Sequence, residues 1–279
     1  MVSAPGVFGP AYDAADVEAL HADVLPKYLS FFNTLALDRM IVAQQSAVMA
    51  CGPLASSIAE GVADRLPNAR IHGFEPSEAA IMAAAERTSG LPATLELEVL
   101  KTLPTRKPDG SFTHALVVHP LASTTSRMQL LREVSRVLVP AGQALIAMPL
   151  RGSYPEITDM LREFSLKHDN PRFGEAIEVA AQSRPTPETL TEDLERLGFV
   201  DVDVTVELLS VPFEAGRDFA AHTLFRLIVG PDIVSMIDAP ADVVAAALEY
   251  ARLAIGKYWS EGQFDLTVNV GCASARKPS

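Results

Sequence analysis

The residues able to do chemistry unaided in this 279-residue chain include two cysteines, six histidines and an acid closing an apolar strand. Cys51 lies before Gly52-Pro53, and a thiolate there would be a nucleophile. Nothing in its neighbourhood lowers the thiol pKa, so a small buried apolar filler is expected. His119 precedes Pro120 after the apolar run Ala115–Val118, and an imidazole at a strand end can serve as a base. An ordinary hydrogen-bonded loop histidine is the competing expectation. His21, His72, His114, His168 and His222 lack a ligand spacing such as H-x-x-x-H, so no metal is assigned. Glu75 closes Ala69–Glu75 ahead of Pro76-Ser77, where the dipole of a following helix would stabilise any solvated carboxylate.

These residues are placed by an alternation of strands and helices. Val17, Leu20, Val24, Tyr28, Phe31 and Leu35 recur at helical spacing, with a break expected near Pro26. A strand follows at Gln45–Ala50, then a helical stripe of Leu54, Ile58, Val62 and Leu66, a second strand, and a helix opened by Pro76-Ser77. Thr94–Val99 reads as strand three, and Ala115–Val118 as a strand buried on both faces. Met128, Leu131, Val134 and Leu138 mark the next helix, and Pro140-Ala141-Gly142 turns the chain into Ala144–Met148. Ser153 with Glu156 reads as a capping box, and Thr186-Pro187 opens a helix closed by Gly198. Val200–Leu208 and Phe264–Val270 alternate as half-exposed strands, with a mostly helical stretch between them. Trp259 beside Tyr258 is expected to pack at a helix end.

The stretch Pro108–Val118, then Leu131–Gly142 and Leu194–Phe199, resembles the class I S-adenosylmethionine-dependent methyltransferases, small-molecule type, over about residues 40 to 275. The resemblance implies an α/β, three-layer Rossmann-like fold with a seven-stranded, mostly parallel sheet and an antiparallel last strand. It also implies S-adenosylmethionine as the cofactor, which makes the departures from the family's loops informative. Where the family has acid-x-Gly-x-Gly-x-Gly after strand one, this chain places Val48 at the acid, Ala50 at the first glycine, Gly52 at the next and Leu54 at the last. Glu75 holds the place of the acid that binds the ribose, two carboxylate oxygens suiting a vicinal diol. Lys101 stands near the adenine acid's place and cannot accept the amino group's hydrogen bond. Gly52 and Glu75 are therefore the cofactor-binding candidates. No catalytic residue is assigned, because methyl transfer can run on positioning alone.

A formal net charge of −12 disfavours nucleic acid and anionic membranes as partners. Two distant cysteines and the lack of a leader or spanning apolar run point to a cytoplasmic protein. Disorder is expected only in the first ten residues and in the tail Arg276–Ser279. The domain reading is an N-terminal helical extension over 1–40 and a methyltransferase-like domain over 41–279, with a helical insertion at about 212–260. The functional expectation is a non-catalytic methyltransferase-fold protein with a degraded cofactor site, acting on a protein partner or as a homo-oligomer. The alternative is an active methyltransferase on a small molecule.

Overall fold

The computed structural model describes residues 10–43, 45–91, 93–100, 102–121 and 123–279. Seven strands form one sheet: β1 (Ala47–Cys51), β2 (Arg70–Glu75), β3 (Thr94–Val99), β4 (Phe112–Val118), β5 (Leu138–Pro149), β6 (Val200–Phe213) and β7 (Phe264–Arg276). Their order is β3-β2-β1-β4-β5-β7-β6, with β7 antiparallel to both neighbours and the other pairings parallel. This is the Rossmann-like methyltransferase arrangement. The central strands are apolar on both faces because helices cover both. Val48, Ala50, Leu116, Val118, Leu145 and Ala147 pack on one side, and Met49, Cys51, Ala115, Val117, Ala144 and Ile146 on the other.

On the first side lie α1 (Ala14–Ala19), α2 (Ser30–Asp38), α3 (Ala59–Arg65), α6 (Pro155–Lys167), α7 (Pro171–Ser183) and α11 (Ala241–Tyr258). On the second lie α5 (Thr124–Val137) and α8 (Pro187–Arg196). Also on the first side, against β2 and β3, is α4 (Glu78–Arg87), and between β6 and β7 come α9 (Gly216–Ala221) and α10 (Gly230–Val234) ahead of α11. Side-chain caps start several helices: Asp13, Ser77, Ser123, Asn170 and Thr186 each accept from a backbone N–H in the first turn.

Four local expectations are corrected. The N-terminal helix does not break at Pro26. Leu20–Leu29 runs as a π-helix joining α1 to α2, and Ser30 N–H bonds Leu25 O, five residues back. That wider turn accepts a ring that would clash with the carbonyl four residues back in α geometry. Ser153 does not cap α6: Tyr154 is the N-cap residue, at φ +60, with Pro155 in the first turn. The Ser153 hydroxyl instead donates to Leu150 O at 2.8 Å and accepts from Asn269 N–H at 3.1 Å, tying the β5 exit to β7. The turn at Pro140-Ala141-Gly142 is a bulge within β5, with Ala141 at φ +59. The tail is held there: Lys277 N–H bonds Gly142 O at 2.9 Å, and Ala141 N–H bonds Lys277 O at 3.0 Å. Disorder expected for residues 1–9 falls outside the described residues.

Candidate functional site

The carboxyl ends of β1, β2, β4 and β5 meet beneath the N-terminal helices, and the candidate site residues lie there. Gly52 follows β1 and passes hard against the end of β4. A Cβ on it would sit 2.8 Å from the Val118 carbonyl oxygen, so the strand crossing itself requires glycine. Leu54, 4% exposed, belongs to the same apolar cluster as Val17, Leu20 and Val24 of the N-terminal helices and Ile58 of the 3₁₀ turn Ala55–Ile58. Leu54 is thus part of the sheet–helix core. Val48 and Ala50 are wholly buried within β1.

Glu75 ends β2 with no exposed surface at all. Its Oε1 accepts the Ser56 N–H at 2.6 Å, and its Oε2 has no hydrogen-bond partner among the described residues. Burial raises its pKa, and donors at Ser56 and Ala55 pull it partway back. Tyr12 lies within electrostatic reach of Glu75, and its hydroxyl, raised in pKa chiefly by burial, donates to Leu227 O at 3.1 Å. The N-terminal segment is thereby fastened to the helical stretch between β6 and β7. The carboxylate has the chemistry to bind a ribose diol, and Oε2 is spare. Its enclosure is the obstacle, since the residue has no exposed surface and the Ser56 N–H already holds one oxygen. In this conformation Glu75 presents no exposed surface to a ribose. Lys101, the expected replacement for the adenine acid, lies outside the described residues.

Next to this closed half is a buried polar chain that sequence reasoning did not assemble. Tyr28 hangs from the π-helix, and its hydroxyl lies 2.8 Å from His119 Nε2 and 2.5 Å from the Tyr154 hydroxyl. His119 follows β4 at φ +47, and its own N–H bonds Ala147 O at 2.8 Å. Such a backbone conformation is costly for a non-glycine residue and is held here by that bond and by packing. Tyr28, His119 and Tyr154 are each at most 1% exposed. Burial pushes the His119 pKa down to about 4, so the ring is neutral at pH 7 and can accept from the Tyr28 hydroxyl. Burial likewise raises both tyrosines, making them hydrogen-bond donors rather than phenolates.

Behind Tyr154 lies an ion pair. Arg184, the residue after α7, stacks its guanidinium over the Tyr154 ring at 4.9 Å. Its Nη2 is 2.9 Å from Oδ2 of Asp232 on α10, and the two side chains are 4% and 0% exposed. Five segments far apart in sequence therefore contribute one buried polar group each. In the sequence Tyr28 belongs to an apolar helical stripe, and no local pattern marks Tyr154, Arg184 or Asp232. The signal that could have found them is three-dimensional only.

The remaining candidates play structural parts. Cys51 is buried, and burial pushes its thiol pKa up, which makes it a poor nucleophile. Trp259 follows α11 and packs edge-on against Phe264, ring centroids 5.4 Å apart. Among the described residues no cluster of His, Cys, Asp and Glu could hold a metal ion, and no helix is long and apolar enough to cross a membrane.

Residues 48–142 match the family model described as a methyltransferase domain. No curated protein matches the chain in sequence. Among solved structures, the chain resembles the Haemonchus contortus phosphoethanolamine N-methyltransferase 2 complexed with phosphomonomethylethanolamine and S-adenosylhomocysteine. The TM-score is 0.56 at 13% identity, over 96% of this chain and 59% of that one. The chain thus spans about three-fifths of the Haemonchus contortus protein's length. It also resembles the [4+2]-cyclase SpnF, with TM-score 0.52, 16% identity, and 98% and 99% of the two chains covered. The Bacillus subtilis YcgJ protein is a third, at TM-score 0.53, 12% identity, and 90% and 99% coverage. At such identities the likeness is one of fold, and the cyclase is a reminder that one fold carries more than one chemistry.

Proposed function

We propose that this chain, a member of the class I S-adenosylmethionine-dependent methyltransferase family, does not transfer methyl groups and acts by binding a protein partner or a second copy of itself. The observation that carries this reading is Glu75. The one acid kept at a cofactor position is fully enclosed and hydrogen-bonded to the loop beside it. Opening the site would expose side chains of the apolar cluster to which Leu54, Ile58, Val17, Leu20 and Val24 belong, at roughly 2 kcal/mol for each large side chain exposed. That cost would be subtracted from the cofactor's binding energy and would weaken a micromolar site to an ineffective one. A net charge of −12 leaves proteins as the favoured macromolecular partners.

Isothermal calorimetry with S-adenosylmethionine and S-adenosylhomocysteine tests the reading. No binding is expected up to about 1 mM. Saturation at micromolar concentration by either compound would overturn it. That result would favour the second reading, an active methyltransferase on a small molecule, which the spare Glu75 Oε2 and the Tyr28–His119–Tyr154 chain support. In that case Glu75 would hold the ribose, Gly52 would line the loop, and the cofactor would supply the electrophilic methyl group.

A further inference from the structure

Leu166 on α6 is the most exposed large hydrophobic side chain among the described residues, at 82%, and Val179 on α7 stands at 66%. Single apolar residues on a surface are ordinary, but these two line one open hollow of about 610 Å³ along the groove between α6 and α7. The opposite faces of both helices, with Ile157, Leu161, Phe173 and Ile177, are buried in the core, so the hollow lies on the solvent side. Gly174 and Ser165 line it where the helices come close: a Cβ on Gly174 would lie 2.9 Å from Ser165 Oγ.

Charge is distributed unevenly around this hollow. Arg162 spans the groove to Glu178, Nε to Oε1 at 2.6 Å and Nη2 to Oε2 at 3.0 Å, so those two charges cancel. Arg172 and Glu175 are exposed near the start of α7, and neither side chain has an ion-pair or hydrogen-bond partner among the described residues. Leu166 ends α6 three residues before the short turn into α7, so it stands at the same end of the helical pair. One patch thus carries a projecting branched side chain and an open hollow, and an unpaired cation beside an unpaired anion. A surface holding both halves of a contact is complementary to itself, as a two-fold interface requires. A partner carrying a single sign of charge would pair with one of the two and repel the other.

We propose that this face is a homodimer interface: across a two-fold axis Leu166 of each copy enters the hollow of the other, and Arg172 of each pairs with Glu175 of the other. The proposal rests on the binding reading above and names its partner. A face two short helices wide, with exposed ion pairs, makes a modest interface, and dissociation is expected on the order of 10 µM.

Sedimentation equilibrium of the full chain from about 1 to 300 µM tests it. The average mass should rise from monomer to dimer and stop there. Leu166→Glu and, independently, Val179→Asp should each weaken association about a hundredfold or more. Both variants should keep the cooperative thermal transition, since these side chains face solvent in the monomer. Arg172→Glu should weaken association about tenfold, and Arg172→Glu/Glu175→Arg should restore it, which a purely apolar contact would not do. The proposal is overturned if the chain stays monomeric to about 300 µM, if Leu166→Glu and Val179→Asp dimerise unchanged, or if the charge exchange brings no recovery. A monomer that also binds no S-adenosylmethionine removes the dimer and leaves the functional reading standing. A dimer that saturates with the cofactor does the reverse.

Discussion

His119 is neutral inside the fold and would be free to protonate in the unfolded chain. Its folded pKa of about 4 lies below the ordinary value of 6.5, so the unfolded state binds more protons between them. Stability from this group is fully present above pH 6.5 and is lost as the pH falls towards 4, by on the order of 3 kcal/mol. Thermal melts from pH 7 to 4 should show this loss, and His119→Gln should flatten the profile over that window. An unchanged slope in the variant would place the acid sensitivity elsewhere. Tyr28→Phe removes the hydroxyl shared by His119 and Tyr154 and should cost about 1–3 kcal/mol in denaturant unfolding, because two buried partners lose a bond. At this scale the sequence was legible where a residue's place follows from a strand. Glu75 ends β2 and His119 follows β4, as the apolar runs indicate. Burial and partners were not legible, because Ser56, Tyr28 and Tyr154 reach these two residues from other segments.

Between elements, a buried tie on the second face of the sheet joins Arg127 of α5 to Asp193 of α8, with side chains 3% and 7% exposed. Asp193→Asn leaves a buried guanidinium without its counter-charge and should cost about 3–5 kcal/mol. The Arg127→Leu/Asp193→Leu double variant should recover much of it, and urea unfolding of the three proteins measures both effects. A small loss in the single variant would mean that the Ser183 carbonyl suffices to hold Arg127. Strands β1 to β7 could all be located from apolar runs and alternation, since sheet position imposes those patterns directly. The π-helix could not, because its apolar spacing differs from that of an α-helix by less than the scatter of real sequences. The cap of α6 was misplaced for a definite reason: Pro155 favours the first helical position and moves the start past Ser153.

Across the whole molecule, the N-terminal helices are as much core as lid. Val17, Leu20, Val24, Leu29 and Phe32 are each at most 2% exposed. At roughly 2 kcal/mol per side chain, their burial is comparable to the entire net stability of a typical domain. Deleting residues 1–38 should therefore abolish the cooperative thermal transition and expose dye-binding apolar surface. A truncated chain that melted cooperatively would show the segment to be a detachable cover. The fold class could be read from the order of elements, because parallel strands joined by helices allow few arrangements. Closure of the cofactor end could not be read that way, since it depends on how segments from both halves of the chain pack together.

The position of β7 constrains how the protein can be made. It lies between β5 and β6, and Lys277 completes the bonding at the bulge in β5. On the ribosome, β6 emerges fifty residues before β7, the strand it pairs with among the described residues. Throughout that interval β5 lacks a neighbour on that side, and the apolar edge it presents is open to other nascent chains. The exposed Asp201, Asp203 and Glu207 side chains on the edge strand β6 put charge where pairing with another chain would otherwise start.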